Sequence, residues 1–161
     1  MSDYFISPSS AALLYTGRID FTHPDVPCFI YVGSSVAFRF CGTKVLMKLK
    51  NYHSCYHNYI GVVIDGKVQE KIEINAHSEE IILYKCQDAS HYFDFYGLFL
   101  DAEILPPPAR PKRRMECYGD SVSAGEVCEA LDCVGKPDPP EHNGVYSNSW
   151  YSYAFLTARK L

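Results

Sequence analysis

From residue 29 to residue 105 the chain runs in short apolar stretches broken by turn residues, several of them with a period of two. Val36, Phe38 and Phe40 alternate with Ser35, Ala37 and Arg39, and Val45, Met47 and Leu49 alternate with one leucine and the lysines Lys44, Lys48 and Lys50. Successive strand residues point to opposite faces, so this pattern builds strands with one face in a core and one toward solvent. Residues 59–64 are more continuously apolar and run into Asp65-Gly66, a hairpin signal because both positions tolerate positive φ. Residues 68–74 return from that turn, with Ile72 and Ile74 alternating against charged neighbours. Residues 79–84 and 92–100 complete about six or seven strands at sandwich-like spacing. No helical period interrupts them. Thirteen tyrosines and nine phenylalanines suit half-buried pleated surfaces, so the expectation is a mainly β protein built on a β-sandwich.

The pattern stops at Pro106-Pro107-Pro108-Ala109-Arg110-Pro111-Lys112-Arg113-Arg114. A proline run cannot donate ladder hydrogen bonds and holds an extended conformation, so it reads as a semi-rigid connector. The expected domains are therefore a sandwich over 1–108 and a second unit over 109–161. No aromatic residue is interleaved among the four basic residues, which marks a solvated linker rather than a base-stacking surface. A net charge of −4 gives no general attraction to nucleic acid or anionic membrane, and neither is an expected partner. No segment approaches the roughly 18–20 apolar residues of a membrane span.

The first residues carry no basic stretch followed by an apolar run, so no secretory signal is visible and a cytoplasmic location is expected. In that compartment the seven cysteines read as free thiols. Zinc is the sharper alternative, from Cys128 with Cys133 or from His53, Cys55 and His57. Neither group has a second ligand pair at finger-like spacing, so no metal and no other cofactor is expected.

After the linker, residues 115–118 read as a short strand leading into Gly119-Asp120-Ser121. Residues 126–146 read as a long loop with one turn of helix. Residues 147–161 read as a helix that Ser147 or Ser149 can cap, because Trp150, Tyr153, Ala154, Thr157, Ala158 and Leu161 recur at three- and four-residue steps. Its broad apolar face and the lone strand need a cover, from the sandwich, a second copy or further sequence. Self-association is one expected consequence.

Strand, tight turn, serine and then Gly125 is an arrangement with chemical use. A sharp turn lifts the hydroxyl clear of its strand, and the following N–H groups can face developing negative charge. Asp120 can accept backbone hydrogen bonds and hold the turn. Such a serine needs a histidine base. His142 is the only histidine after it, while His23, His53, His57, His77 and His91 lie in the sandwich segment.

Residues 114–125 resemble the first conserved block of the SGNH/GDSL hydrolases. Gly17-Arg18-Ile19, Phe40-Cys41-Gly42-Thr43, Val63-Ile64-Asp65-Gly66 and Gly97-Leu98-Phe99-Leu100-Asp101 before a Pro-Pro segment resemble stretches of carbohydrate esterase family 2. Tyr151-Ser152-Tyr153-Ala154 with Thr157-Ala158-Arg159 resembles the first helix after that family's nucleophile loop. The likeness covers roughly residues 17–161. It implies a jelly-roll sandwich followed by the first strand, nucleophile turn and helix of an α/β hydrolase domain, in an esterase that removes acetyl groups from sugars. Ser121 is then the implied nucleophile, its N–H part of the oxyanion hole, with Gly119, Asp120 and Gly125 supporting the turn. The family's remaining oxyanion donors, a glycine and an asparagine, and its histidine base lie in later blocks that these 161 residues do not contain. The expected active site is thus incomplete, and the chain reads as truncated within the catalytic domain. The alternative is a non-catalytic sandwich that binds carbohydrate or a protein, with Tyr52, Tyr56 and Tyr59 as stacking candidates.

Overall fold

The structure, a computed structural model, describes residues 4–52, 57–69, 81–86, 90–140 and 144–161. Two antiparallel sheets pack face to face, as the period of two requires. In the first, β10 (Tyr92–Leu100) is central. It pairs along its length with β6 (Val45–Tyr52), and its other flank is shared by β1 (Tyr4–Ile6) and β4 (Cys28–Phe29). The short β3 (Ile19–Asp20) completes this sheet on β4. In the second sheet, β5 (Ser35–Phe40) pairs with β9 (Ile81–Lys85), β9 with β7 (Ile60–Ile64), and β7 with β8 (Lys67–Gln69). β2 (Leu14–Thr16) and β11 (Ile104–Leu105) share the far flank of β5.

The core lies where sequence alternation places it. Val36, Phe38 and Phe40 of β5 and Phe93, Phe95, Leu98 and Leu100 of β10 are buried in one cluster. In β10 the buried positions switch from odd to even numbers. The switch occurs where the register with β6 slips between Phe95 and Gly97, because the extra residue of a bulge reverses which face each later side chain takes. Residues 65 and 66 form the expected tight turn, with φ of 49° and 76°, and bring Ile64 opposite Lys67. The lysines of β6 have a second reading from its position. β6 is an edge strand, and exposed lysines there discourage pairing with another chain.

The continuous apolar run at 59–64 has a physical cause. Val62 and Ile64 enter the sandwich core, while Val63 on the opposite face joins Tyr84 and Cys86 in a second buried cluster, packed with Tyr59, Val68 and Trp150. β7 is therefore covered on both faces. Ile72 and Ile74, expected on the return strand, lie outside the described residues. Five strands escape the sequence pattern, since β1, β2, β3, β4 and β11 are only two or three residues long.

Two expectations for the second segment need correction. Residues 115–118 form no strand: a strand is defined by its neighbour, and no described strand lies alongside. Residues 147–161 are not one helix but a 3-10 turn, Ser149–Tyr151, followed by an α-helix, Tyr153–Ala158. Ser147 and Ser149 do not cap it because their hydroxyls are used elsewhere. Ser149 Oγ donates to Lys85 O at 3.0 Å, and Ser147 Oγ accepts from Val127 N at 3.4 Å. Asn148 caps the 3-10 turn and Ser152 caps the α-helix. The single turn of helix expected in 126–146 is Leu131–Cys133.

Candidate functional site

From Ala109 to Val122 every residue is exposed, and from 106 through 119 no backbone group bonds to the backbone of another described residue. Regular structure resumes at Asp120. Its carboxylate accepts the N–H of Val122 at 3.1 Å and its carbonyl accepts that of Ala124 at 3.0 Å, starting α1 (Ser121–Ala124). An aspartate accepting from the residue two positions on is a normal N-cap arrangement. Gly125 ends the turn with φ 80°, a left-handed value that glycine adopts without a Cβ penalty, and donates to Val122 O at 3.1 Å. Ser121 is therefore the first residue of a capped turn. Its hydroxyl is exposed and bonded to no described residue.

A second layer holds this turn. Asn148 N donates to Gly125 O at 3.0 Å, Cys128 Sγ to Asn148 O at 3.2 Å, and Glu129 N to Tyr146 O at 3.0 Å. Ser123 Oγ and Tyr153 Oη share a hydrogen bond of 2.6 Å, beside Gly119. The layer is in turn fastened to the sandwich. Ser149 N donates to Cys86 O at 3.2 Å, and the Tyr84 hydroxyl donates to Asn148 Oδ1 at 3.1 Å. Trp150 lies on Tyr84 with ring centroids 5.2 Å apart, and the Arg159 guanidinium lies 4.1 Å from the Trp150 centroid. Burial pushes the Tyr84 phenol well above its ordinary range, so it stays a donor. The sandwich thus covers Trp150, while Tyr151, Tyr153, Leu156 and Leu161 of the same stretch stay exposed.

Of the expected site residues, 120, 121 and 125 lie within this one turn and Gly119 immediately precedes it. No histidine completes it among the described residues. His91 is buried beside Ser90 Oγ, His23 and His57 are exposed, and His53, His77 and His142 lie outside the described residues. The thiols offer no substitute nucleophile where they are buried. Desolvation pushes the half-buried Cys28 and the buried Cys86 up to about 12, and it is the thiolate that attacks or ligates. Among the described residues no three metal-ligating side chains come together; Cys55 lies outside them.

Two of the three tyrosines expected as sugar platforms, Tyr52 and Tyr59, are engaged within the protein. Tyr52 stacks on Tyr92 at 4.8 Å and 14°, with Lys50 Nζ 5.0 Å from its centroid. Tyr59 packs on the second cluster, and Tyr56 lies outside the described residues. The contacts of Asn148, Tyr84 and Arg18 with the segment after the linker leave no mark in the residue pattern, although Arg18 lies in the Gly17-Arg18-Ile19 stretch. As a cap, Asn148 had a usable signal, since asparagine ahead of a helical pattern is as good a cap as serine.

The family described as carbohydrate esterase 2 N-terminal matches residues 15–108. Cellulase/esterase CelE of Acetivibrio thermocellus is 28% identical over 164 residues, covering 92% of this chain and 19% of that protein. An acetylxylan esterase / glucomannan deacetylase of Cellvibrio japonicus is 23% identical, covering 99% of this chain and 47% of that protein. A solved family two carbohydrate esterase from Clostridium thermocellum, in complex with cellohexaose, superposes with a TM-score of 0.75 at 26% identity. That match covers 92% of this chain and 48% of the other. The chain spans less than half the length of these relatives.

Proposed function

Because the chain belongs to the carbohydrate esterase 2 N-terminal family, we propose that it contributes the sandwich and nucleophile turn of an esterase that removes acetyl groups from polysaccharides. Residues 1–108 are the sandwich and residues 109–161 begin the hydrolase domain. The observation that carries the reading is the Asp120-capped, Gly125-closed turn, which presents Ser121 to solvent at the start of α1. Ser121 Oγ attacks the acetyl carbonyl carbon as a base takes its proton. The tetrahedral oxyanion is met by the Ser121 N–H, and collapse breaks the bond to the sugar oxygen, which takes the proton from the protonated base and leaves as the sugar hydroxyl. Water then releases acetate from the acyl-serine. Relatives named for acetylxylan and glucomannan, and one holding cellohexaose, support an acetylated polysaccharide as substrate.

The test is capture of Ser121 by a serine-directed fluorophosphonate, alongside turnover of an activated acetyl ester. Ser121→Ala is expected to abolish both. A wild-type chain that neither labels nor hydrolyses would sink catalysis by this chain alone, and calorimetry with an oligosaccharide would then decide whether the sandwich binds sugar. Self-association belongs to the same proposal. Tyr118, Val122, Leu131 and Val134 are each more than two-thirds exposed on the nucleophile-bearing segment, an apolar surface that favours contact. A single 18.2 kDa species at high concentration in sedimentation equilibrium would remove that part.

A further inference from the structure

The stretch that delivers Ser121 has no ladder of its own, so side chains must keep it in place. Three arginines tether it. Arg110 Nη2 donates to Tyr15 O at 3.2 Å, and Arg113 Nη1 donates to Leu161 O at 3.3 Å. Arg18 takes the part nearest the serine. Its Nε donates to Glu116 Oε1 at 2.9 Å and its Nη2 to Tyr118 Oη at 2.8 Å. Nη2 also lies 2.8 Å from Glu116 Oε1.

Arg18 is anchored at its other end. Its carbonyl accepts from Ser34 Oγ at 3.1 Å, and Ser34 is fully buried. Ser34 N donates to Tyr31 O at 3.2 Å, and Ser34 O accepts from Lys85 N at 3.0 Å. A side chain rooted in the sandwich therefore grips residues 116 and 118, two alternate positions of one stretch. The planar fork of a guanidinium can serve two acceptors in fixed directions, which an ammonium cannot do.

We infer that Arg18 is a positioning residue for Ser121: its fork on Glu116 and Tyr118 takes the place of ladder hydrogen bonds and sets where the nucleophile turn stands against the sandwich. The consequence for chemistry rests on the proposed role of Ser121, whereas the positioning itself does not. The Arg18 and Glu116 side chains are 57% and 58% exposed. Solvent screening makes such a pair a small contributor to global stability, so its effect is local order.

Backbone amide relaxation on the full chain tests this, with order parameters read for residues 115–121. The wild type is expected near about 0.85 there, and Arg18→Ala below about 0.6. The melting temperature should move by less than about 3 °C, the scale of an exposed pair in a chain this size. Arg18→Lys keeps one charge for Glu116 but loses the fork, and should fall between the two. Fluorophosphonate capture of Ser121 should slow several-fold in Arg18→Ala and recover partly in Arg18→Lys. Unchanged order at 115–121 in Arg18→Ala would overturn the inference, as would a loss of order spread evenly over the sandwich. If the probe captures Ser121 in no variant, the nucleophile role fails while the order parameters still decide the role of Arg18.

Discussion

Phe95→Ala is expected to cost about 3–5 kcal/mol, the range for truncating a fully buried phenylalanine. Phe95 is fully buried on β10, and its ring meets Phe29 edge-on at 6.1 Å and Tyr15 at 6.5 Å. Phe29 in turn stacks on Phe93 at 4.8 Å, so one truncation leaves several rings facing a void. The position cannot collapse easily. It lies beside the bulge, between β6 and β4, and its own N–H is bonded to Pro27 O at 3.0 Å. A domain of this kind has about 5–15 kcal/mol in total, so the variant should be substantially less stable and partly unfolded at moderate temperature. Urea titration measures this as a lower midpoint with an unchanged slope. Phe95→Leu should recover more than half of the loss, because volume-conserving apolar changes are tolerated best. A loss below about 1 kcal/mol in Phe95→Ala would mean that the two sheets do not meet at this ring.

Gly61→Ala is expected to undock the nucleophile-bearing segment while leaving the sandwich folded. Gly61 on β7 faces Tyr84 on β9, and a Cβ there would lie 1.8 Å from the Tyr84 Cζ, inside the ring. Aromatic cover of a strand glycine by its cross-strand partner is a stable arrangement only while the glycine lacks a side chain. Tyr84 would have to leave. With it go the hydrogen bond to Asn148 Oδ1 and the contact with Trp150, both of which fasten 147–151 to the sheet. The cost expected is about 1–3 kcal/mol from overpacking, plus the lost docking. Trp150 emission should shift to the red, and capture of Ser121 should slow because Asn148 also bonds Gly125 O. Adding Tyr84→Leu to Gly61→Ala should restore part of the sheet stability without restoring the docking, a coupling that a double-mutant cycle reads directly. Unchanged Trp150 emission in Gly61→Ala would show that Tyr84 is not the anchor.

These two positions also show where sequence reasoning stops. Phe95 belongs to an alternating strand, and its burial is legible from period two alone. Gly61 is legible only as a glycine inside an apolar run. That its missing side chain makes room for Tyr84 depends on pairing between strands 23 residues apart (84 − 61). The continuous apolar character of 59–64 was a clue that β7 is covered on both faces, but not to what covers it. The turn at 120–125 is legible for the opposite reason. An aspartate that accepts the N–H two residues on, and a glycine that closes the turn, are contacts between near neighbours.

The sequence by itself determined the strand faces, the Asp65-Gly66 hairpin and the Asp120–Gly125 turn. Each follows from sterics and hydrogen bonds among residues a few positions apart, which leave a periodic or local mark. Only the tertiary structure decided that 115–118 pairs with no described strand, that Asn148 rather than its flanking serines caps the next turn, and that Arg18 grips Glu116 across 98 positions. Such contacts arise when packing closes long loops, and closure depends on what the whole chain brings together. A lone arginine in a loop near the start therefore looks like any solvated charge until the fold sets Glu116 and Tyr118 beside it.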